Sequence, residues 1–269
     1  MPIHYERDDD HIVLITIDRP EARNAADMEH FKLLREAWER FDADVEARVA
    51  IVTGVEDSFF SGADLKTYIP QITALQKDMA DRGVDEIDGY RLTDGVKAVL
   101  RGTKIYKPII AAVNGYALAG GCEILQATDL RVASRTASFG LSEAQRGLVP
   151  GGGSMVRLAR QVPHCKAMEI LLLGERMSAE EAHRIGLINE VVEPEEVMPR
   201  AEALAERLAR NGPLALQKIK EAVLRTSGEP LVRAYEIENE CAAVVMASKD
   251  AREGPRAFME KREPVYTGE

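Results

Sequence analysis

Asn114-Gly115-Tyr116-Ala117-Leu118-Ala119-Gly120-Gly121-Cys122-Glu123 is the stretch on which the reading of this chain turns. An apolar run, Ile109-Ile110-Ala111-Ala112-Val113, leads into it behind Pro108, and a second, Ile124-Leu125-Gln126-Ala127, follows it. The first run is short and β-rich, the pattern of a strand buried on both faces. The second reads as the body of a helix that opens at the paired glycines. Glycines at that point leave the first N–H groups of the helix open and let a ligand approach the backbone closely. Tight packing of helix on strand would use the same glycines, so both readings stand at this point.

Outward from this stretch, short apolar runs alternate with amphipathic helices. Ile12 to Ile17 predicts a buried strand, broken by Arg19-Pro20-Glu21-Ala22-Arg23-Asn24. Phe31, Leu34, Trp38 and Phe41 then recur at helical spacing. Val49 to Thr53, stopped by Gly54, predicts a second strand, and Leu130 to Ala133 another after Ile109 to Val113. Strands separated by helices predict an α/β architecture. From about Met155 the pattern turns helical. Pro199 suits a first helical turn, with Val197, Ala201, Leu204 and Leu208 along one face. Asn211-Gly212-Pro213 separates that helix from the next, and another is expected from about Pro230 to Ser248. This divides the chain into a core over residues 1–195 and a helical subdomain over 196–269. Residues 66–106 show few apolar repeats and several Asp and Gly residues. The segment reads either as a functional loop or lid, or as a surface insertion with short helices of its own.

Composition narrows the function. The chain has 269 residues, 45% of them hydrophobic, enough to bury a full core. Its formal net charge of -10 repels nucleic-acid phosphates and anionic lipid, so neither is expected as a general partner. Cys122, Cys165 and Cys241 are far apart and form no CxxC pair, which argues against a disulfide framework or a zinc ribbon and for a reducing compartment. The acidic N-terminal residues do not resemble a signal or transit peptide, and no apolar run reaches the roughly 18 residues of a membrane span. A soluble, cytoplasmic protein is expected.

Two further glycine clusters flank the central one. Phe60-Ser61-Gly62-Ala63-Asp64-Leu65-Lys66 follows the second strand, where a glycine can leave N–H groups aimed at a ligand; most such clusters are simple turns. Phe139-Gly140-Leu141-Ser142-Glu143 precedes Gly147-Leu148-Val149-Pro150-Gly151-Gly152-Gly153. That run lacks the Gly-Lys-Ser/Thr of a phosphate loop and is not a GxGxxG turn, so ATP and NAD lose their main support. The five histidines form no HxxxH or HExxH pattern, and no metal is expected. Ser142 and Ser154 lack a Gly-x-Ser-x-Gly elbow. Cys122 has no nearby histidine and reads as a packing residue.

In their order, GAD, NGxxxxGGCE, FGxxE and PGGG, these clusters resemble the enoyl-CoA hydratase (crotonase) superfamily, and the likeness runs from Arg19 to Arg262. The resemblance implies a spiral of repeated ββα units with C-terminal helices that assemble trimers or hexamers. It implies an acyl-CoA thioester substrate, with coenzyme A as part of the substrate and no separate cofactor, and a place in fatty acid β-oxidation. It assigns the oxyanion-hole N–H groups to Ala63 and Gly120 and the paired catalytic carboxylates to Glu123 and Glu143. Asp64, Leu65 and Lys66 match the stretch lining the CoA site, Arg23 matches a position near it, and Lys261 falls in the C-terminal motif that reaches a neighbouring subunit's nucleotide. The expected activity is addition of water to a 2-enoyl-CoA. An enoyl-CoA isomerase, another lyase of the family, or a non-catalytic acyl-CoA-binding or RNA-associated protein on the same scaffold are the alternatives. Both carboxylates favour hydration, and the acidic charge disfavours RNA. The long 66–106 segment resembles that of family members that handle bulky acyl groups, including sterol side chains.

Overall fold

The structure is a computed structural model and describes residues 2–269. Its core is a six-stranded sheet. Strands β1 (Ile3–Arg7), β2 (Ile12–Ile17) and β3 (Val49–Gly54) lie in sequence order, with helix α1 (Met28–Ala43) crossing between β2 and β3. A second, smaller sheet begins with β4 (Ser58–Phe60). Helices α2 (Tyr68–Arg82) and α3 (Asp94–Ala98) lead from it to β5 (Ile109–Val113), β6 (Tyr116–Leu118) and α4 (Gly120–Leu125). The chain continues through β7 (Leu130–Ser134), β8 (Ser138–Gly140), α5 (Ser154–Gln161), α6 (His164–Leu173), β9 (Met177–Ser178), α7 (Ala179–Arg184) and β10 (Glu190–Val192). Helices α8 (Val197–Ala209), α9 (Pro213–Thr226), α10 (Leu231–Ala247) and α11 (Asp250–Glu260) complete it.

The large sheet runs β1-β2-β3-β5-β7-β10 and the small one β4-β6-β8-β9. The pairs β3/β4, β5/β6 and β7/β8 each place one strand in either sheet, and the two steps between them in each sheet are parallel. The result is three stacked turns of a spiral. Strand residues split by parity. Val13, Ile15, Ala50, Val52, Ile109 and Ala111 face the main core, whereas Ile12, Val49, Ile51, Ile110 and Ala112 face α8 through Val197, Ala201 and Ala205.

The strands and helices read from apolar runs form where expected. Asp27 caps α1 by accepting from His30 N (3.0 Å), and Phe31, Leu34, Trp38 and Phe41 are its buried face. Its last carbonyls are gathered by the buried Lys107 ammonium, which donates to Phe41 O, Asp42 O and Asp44 O (2.9, 3.2 and 2.6 Å). Pro199 sits in the first turn of α8, and α10 starts after Pro230 and stops before Ser248. Packing puts α8 against the sheet, while α9, α10 and α11 carry exposed apolar side chains, among them Ile219, Val223, Val232 and Phe258.

Three features differ from the sequence reading. The small sheet is built from strands of three residues or fewer, too short to show a periodic pattern. The region after Met155 is not wholly helical: β10 pairs parallel with β7 and closes the large sheet. Residues 66–106 hold a helix of 15 residues, α2, and the short α3. The polar face of α2 dilutes its apolar pattern, since only Leu75 and Met79 are buried there.

Candidate active site

Strands β4, β6 and β8 are parallel neighbours, so their carboxyl ends emerge side by side, where open α/β sheets place ligands. After β4 the chain passes through Gly62 and Ala63, after β6 through Ala119 and Gly120, and after β8 to Glu143. Gly62 has φ +82°, and a Cβ built there would stand 2.8 Å from Gly120 N. Ala119 also has positive φ (48°), and its N–H donates to Gly140 O at 2.8 Å, so the third strand helps hold a turn that an alanine adopts only under strain. Asp64 N donates to Ala26 O (2.8 Å) and Ala26 N to Gly62 O (2.8 Å), which pins the strip around Ala63. Among the described residues no backbone acceptor takes the Ala63 or Gly120 N–H. Two neighbouring N–H groups are left for a ligand oxygen. Helix α4 is only six residues long, so direct donation outweighs any macrodipole there.

Glu123 lies in the first turn of α4 and is 6% exposed. The backbone N–H groups of Gly152 and Ser154 lie near its carboxylate and favour its charged form. A Cβ on Gly152 would collide with that carboxylate and with Val99, which accounts for one glycine of the PGGG run. Glu143 stands at the start of the helical turn after β8. Glu123 Oε1 and Glu143 Oε2 are both buried without a hydrogen-bond partner, and both residues line a cavity of about 460 Å³. Burial pushes the Glu123 carboxyl up to about 7, and the charge of Glu143 pushes the same way, against the pull of the two N–H donors and Arg157. Burial also raises Glu143. Arg157 donates to Leu100 O (2.7 Å) and reaches the Glu123 carbonyl (3.4 Å), tying α5 to the segments that frame the carboxylate.

Of the residues singled out in the sequence, Ala63, Leu65, Gly120, Glu123 and Glu143 share this cavity. Asp64 is engaged elsewhere: Arg19 pairs with it at 3.1 Å and Lys66 N donates to it at 3.1 Å. Burial opposes ionisation of Asp64, but the nearby Thr67 hydroxyl, the Lys66 N–H and the Arg19 guanidinium hold its carboxyl below the usual range. Arg23 lies over the Tyr116 ring (5.4 Å), which Arg176 also faces (5.5 Å). Lys66 and Lys261 are exposed and outside the cavity wall, Lys261 at the left-handed end of α11. Cys122 is fully buried, its thiol pushed up to about 12 by burial, which fits packing and not reactivity.

Sequence reading missed Arg176 and Tyr68, which line the cavity, and gave no separate place to Arg146 and Val149 of the segment before the glycine run, which line it too. Nothing local marks them, because they converge from separate segments. Gly152 was visible only as one of a glycine run. Among the described residues no group of three or more His, Cys, Asp or Glu side chains is placed to hold a metal.

Two open backbone donors beside two buried carboxylates make a site for an enzyme that stabilises negative charge on a carbonyl oxygen while moving protons nearby. The chain matches the family model described as Enoyl-CoA hydratase/isomerase over residues 7–269, and it belongs to that family. It is 43% identical to Enoyl-CoA hydratase EchA19 of Mycobacterium tuberculosis, covering 95% of this chain and 93% of that one. It is 38% identical to the (E)-benzylidenesuccinyl-CoA hydratase of Thauera aromatica over the full length of both. A solved enoyl-CoA hydratase/isomerase structure from Mycobacterium abscessus superposes with a TM-score of 0.87 at 40% identity, again over the full length of both chains.

Proposed function

We propose that this chain hydrates the 2,3 double bond of a 2-enoyl-CoA thioester. The observation that carries the reading is the pair of partnerless carboxylate oxygens, on Glu123 and Glu143, in the same cavity as the free Ala63 and Gly120 N–H groups. Water adding to the β-carbon pushes charge onto the thioester oxygen. Two fixed donors take that charge where it forms, each worth roughly 3 kcal/mol in oxyanion holes of other enzymes. Glu123 orients and deprotonates the water, and Glu143 returns a proton to the α-carbon. Both carboxyls are held above the usual range, Glu123 by burial and then by the Glu143 charge and Glu143 by burial, so they titrate as an interacting pair.

Outside the chemistry, Arg23, Arg176 and Lys66 supply positive charge for the CoA phosphates, with Leu65 beside the thioester. The Asp64 carboxylate serves that site by bracing the strip through Arg19. Lys261 acts on the nucleotide of a neighbouring subunit. The exposed apolar residues on α9 to α11 favour assembly as a trimer or hexamer, with residues 196–269 as the assembly subdomain and α8 joining it to the core. Three free cysteines suit a reducing cytoplasm, and the substrate class suits fatty acyl breakdown.

The test is loss of crotonyl-CoA and longer 2-enoyl-CoA absorbance at the conjugated thioester band, with the product identified. Glu123→Gln and Glu143→Gln each lose about 10²- to 10⁴-fold in kcat and keep the fold. A product with a shifted double bond, in place of a 3-hydroxyacyl-CoA, would refute hydration. A stable monomer at micromolar concentration by light scattering would refute the assembly.

A further inference from the structure

The cavity extends past the carboxylates along α2 and α3. Its wall there is Tyr68, Ile69, Leu92 and Val96, apolar apart from one hydroxyl. Tyr68 stands on Phe31 (4.7 Å between centroids), and Phe31 meets Phe60 edge-on at 6.2 Å. Phe60 in turn lies against Gly120, so an aromatic row joins Tyr68 to the oxyanion donors. The hydroxyl rests against Gly95, where a built Cβ would come within 2.7 Å of it; only glycine leaves that oxygen its place.

Tyr68 hydroxyl has no hydrogen-bond partner among the described residues, although burial and then the Asp94 charge push its pKa up and keep it protonated. It is a donor without an acceptor inside a mostly apolar chamber. A wholly aliphatic tail closing over it would strand the hydroxyl without a partner. The position can be placed along the tail. Val99 lies beside the Glu123 carboxylate, both meeting the same point at Gly152. Gly95 is four residues earlier on α3, about 6 Å at 1.5 Å per residue. An extended chain advances roughly 1.2 Å per bond, as a peptide does at ~3.5 Å per residue. A tail laid along α3 would pass the hydroxyl about five bonds beyond the reacting carbons.

The charge nearby favours a neutral acceptor. Asp94 is paired with the buried Arg35 at 2.8 Å, so that cation is spent. The cations in the cavity wall, Arg146 and Arg176, belong to the segments next to Glu143 and Tyr116, not to α2 or α3. We infer that the Tyr68 hydroxyl is a specificity group that donates to an oxo or hydroxyl oxygen on the acyl tail, selecting 2-enoyl thioesters oxygenated well beyond the double bond. The inference rests on the enoyl-thioester reading of the cavity.

The experiment compares 2-octenoyl-CoA with its 6-, 7- and 8-oxo forms in wild type and Tyr68→Phe, which keeps the ring on Phe31. Wild type should favour one oxo ester by roughly tenfold in kcat/KM, the worth of one hydrogen bond, and Tyr68→Phe should bring that ratio near one. Calorimetry with the saturated octanoyl-CoA and the matching oxo-octanoyl-CoA should show the same change in affinity ratio. Ratios that are alike in the two proteins for all three positions would overturn the assignment, since a hydroxyl that only fills space alters both esters equally. If neither ester is hydrated but the binding ratio still depends on Tyr68, the hydratase reading fails and the Tyr68 assignment stands.

Discussion

The turn from Ala119 to Glu123 and the segment 66–106 face each other across the same cavity, yet they are built on opposite principles. The first is backbone machinery. Gly62 and Gly121 sit where a side chain would collide with a neighbouring strand or turn, Gly120 packs closely on Gly62 and Phe60, and Ala119 holds a positive φ. The second is side-chain machinery, two helices whose cavity face is Tyr68, Ile69, Val96 and Val99. Backbone machinery tolerates almost no substitution and serves any thioester, because every acyl-CoA presents the same carbonyl. Side-chain machinery can change residue by residue and so can carry the choice of acyl group. Common chemistry on one wall and selectivity on the other is what this division provides.

The comparison breaks first at Gly62. Alanine there places a methyl 2.8 Å from Gly120 N and 2.9 Å from the Ala119 side chain at φ +82°. The expected outcome is a fall in kcat of about 10²- to 10³-fold, the usual cost of one oxyanion donor. Gly186→Ala is the control for strain alone, since Gly186 has φ +79° and open space around it. It should lose about 1 kcal/mol of stability with kcat retained. Equal losses of activity in both variants would mean that positive φ, and not access to the N–H pair, is what the glycine provides.

The next effect is on stability. Glu123 has a folded pKa of about 7, above the roughly 4.3 of an unfolded glutamate. Between those values the folded state binds the extra proton, so the carboxyl's contribution is fully present below about pH 4. It declines as pH rises and is lost above about pH 7, a span of roughly 4 kcal/mol. Glu123→Gln removes that decline. The variant should be more stable than wild type by up to about 4 kcal/mol at pH 8 and match it near pH 4, measured by denaturant unfolding. A constant difference across that range would show that the carboxyl is not held in a disfavoured charge state. In wild type, kcat/KM should climb as pH passes through about 7, where Glu123 gains the ionised form that accepts a proton from water.

How far the sequence could be read follows the same division. Strands β2, β3, β5 and β7 of the large sheet, the buried face of α1 and the limits of α10 were legible in the sequence, because burial on a regular lattice leaves a periodic trace, whereas β1, with two exposed residues at its end, was not. Ala63, Gly120, Glu123 and Glu143 were singled out through the resemblance of the ordered glycine motifs to a known family, and the fold brings them to one cavity. The three-residue strands β4, β6 and β8 were not, although they aim every one of those residues; they are held by neighbours and not by local preference. Arg157, Arg176 and Tyr68 left no trace, since each matters through a partner remote in sequence. Asp64 looked like part of the CoA-lining stretch, yet its carboxylate is committed to Arg19 through a contact that no spacing rule announces.

The smallest expected effect concerns α2, and it sharpens the contrast between rigid and adaptable walls. Helices α1 and α2 are nearly the same length, 16 and 15 residues. Seven residues of α1 are buried, a side-chain cap holds its start and Lys107 holds its end, whereas α2 buries two and has no side-chain cap at Thr67. A helix of that length is marginal without tertiary support, so α2 should open on its own well below the free energy of global unfolding. In hydrogen exchange on the free enzyme, the amides of residues 72–82 should exchange about a hundredfold faster than those at the centre of α1. A saturating acyl-CoA fills the chamber against Tyr68 and Ile69 and should slow α2 several-fold while α1 stays the same. Equal protection of the two helices without ligand, with no change on its addition, would make α2 a fixed wall. Acyl selectivity would then rest on the shape of the chamber alone and not on closure over the substrate.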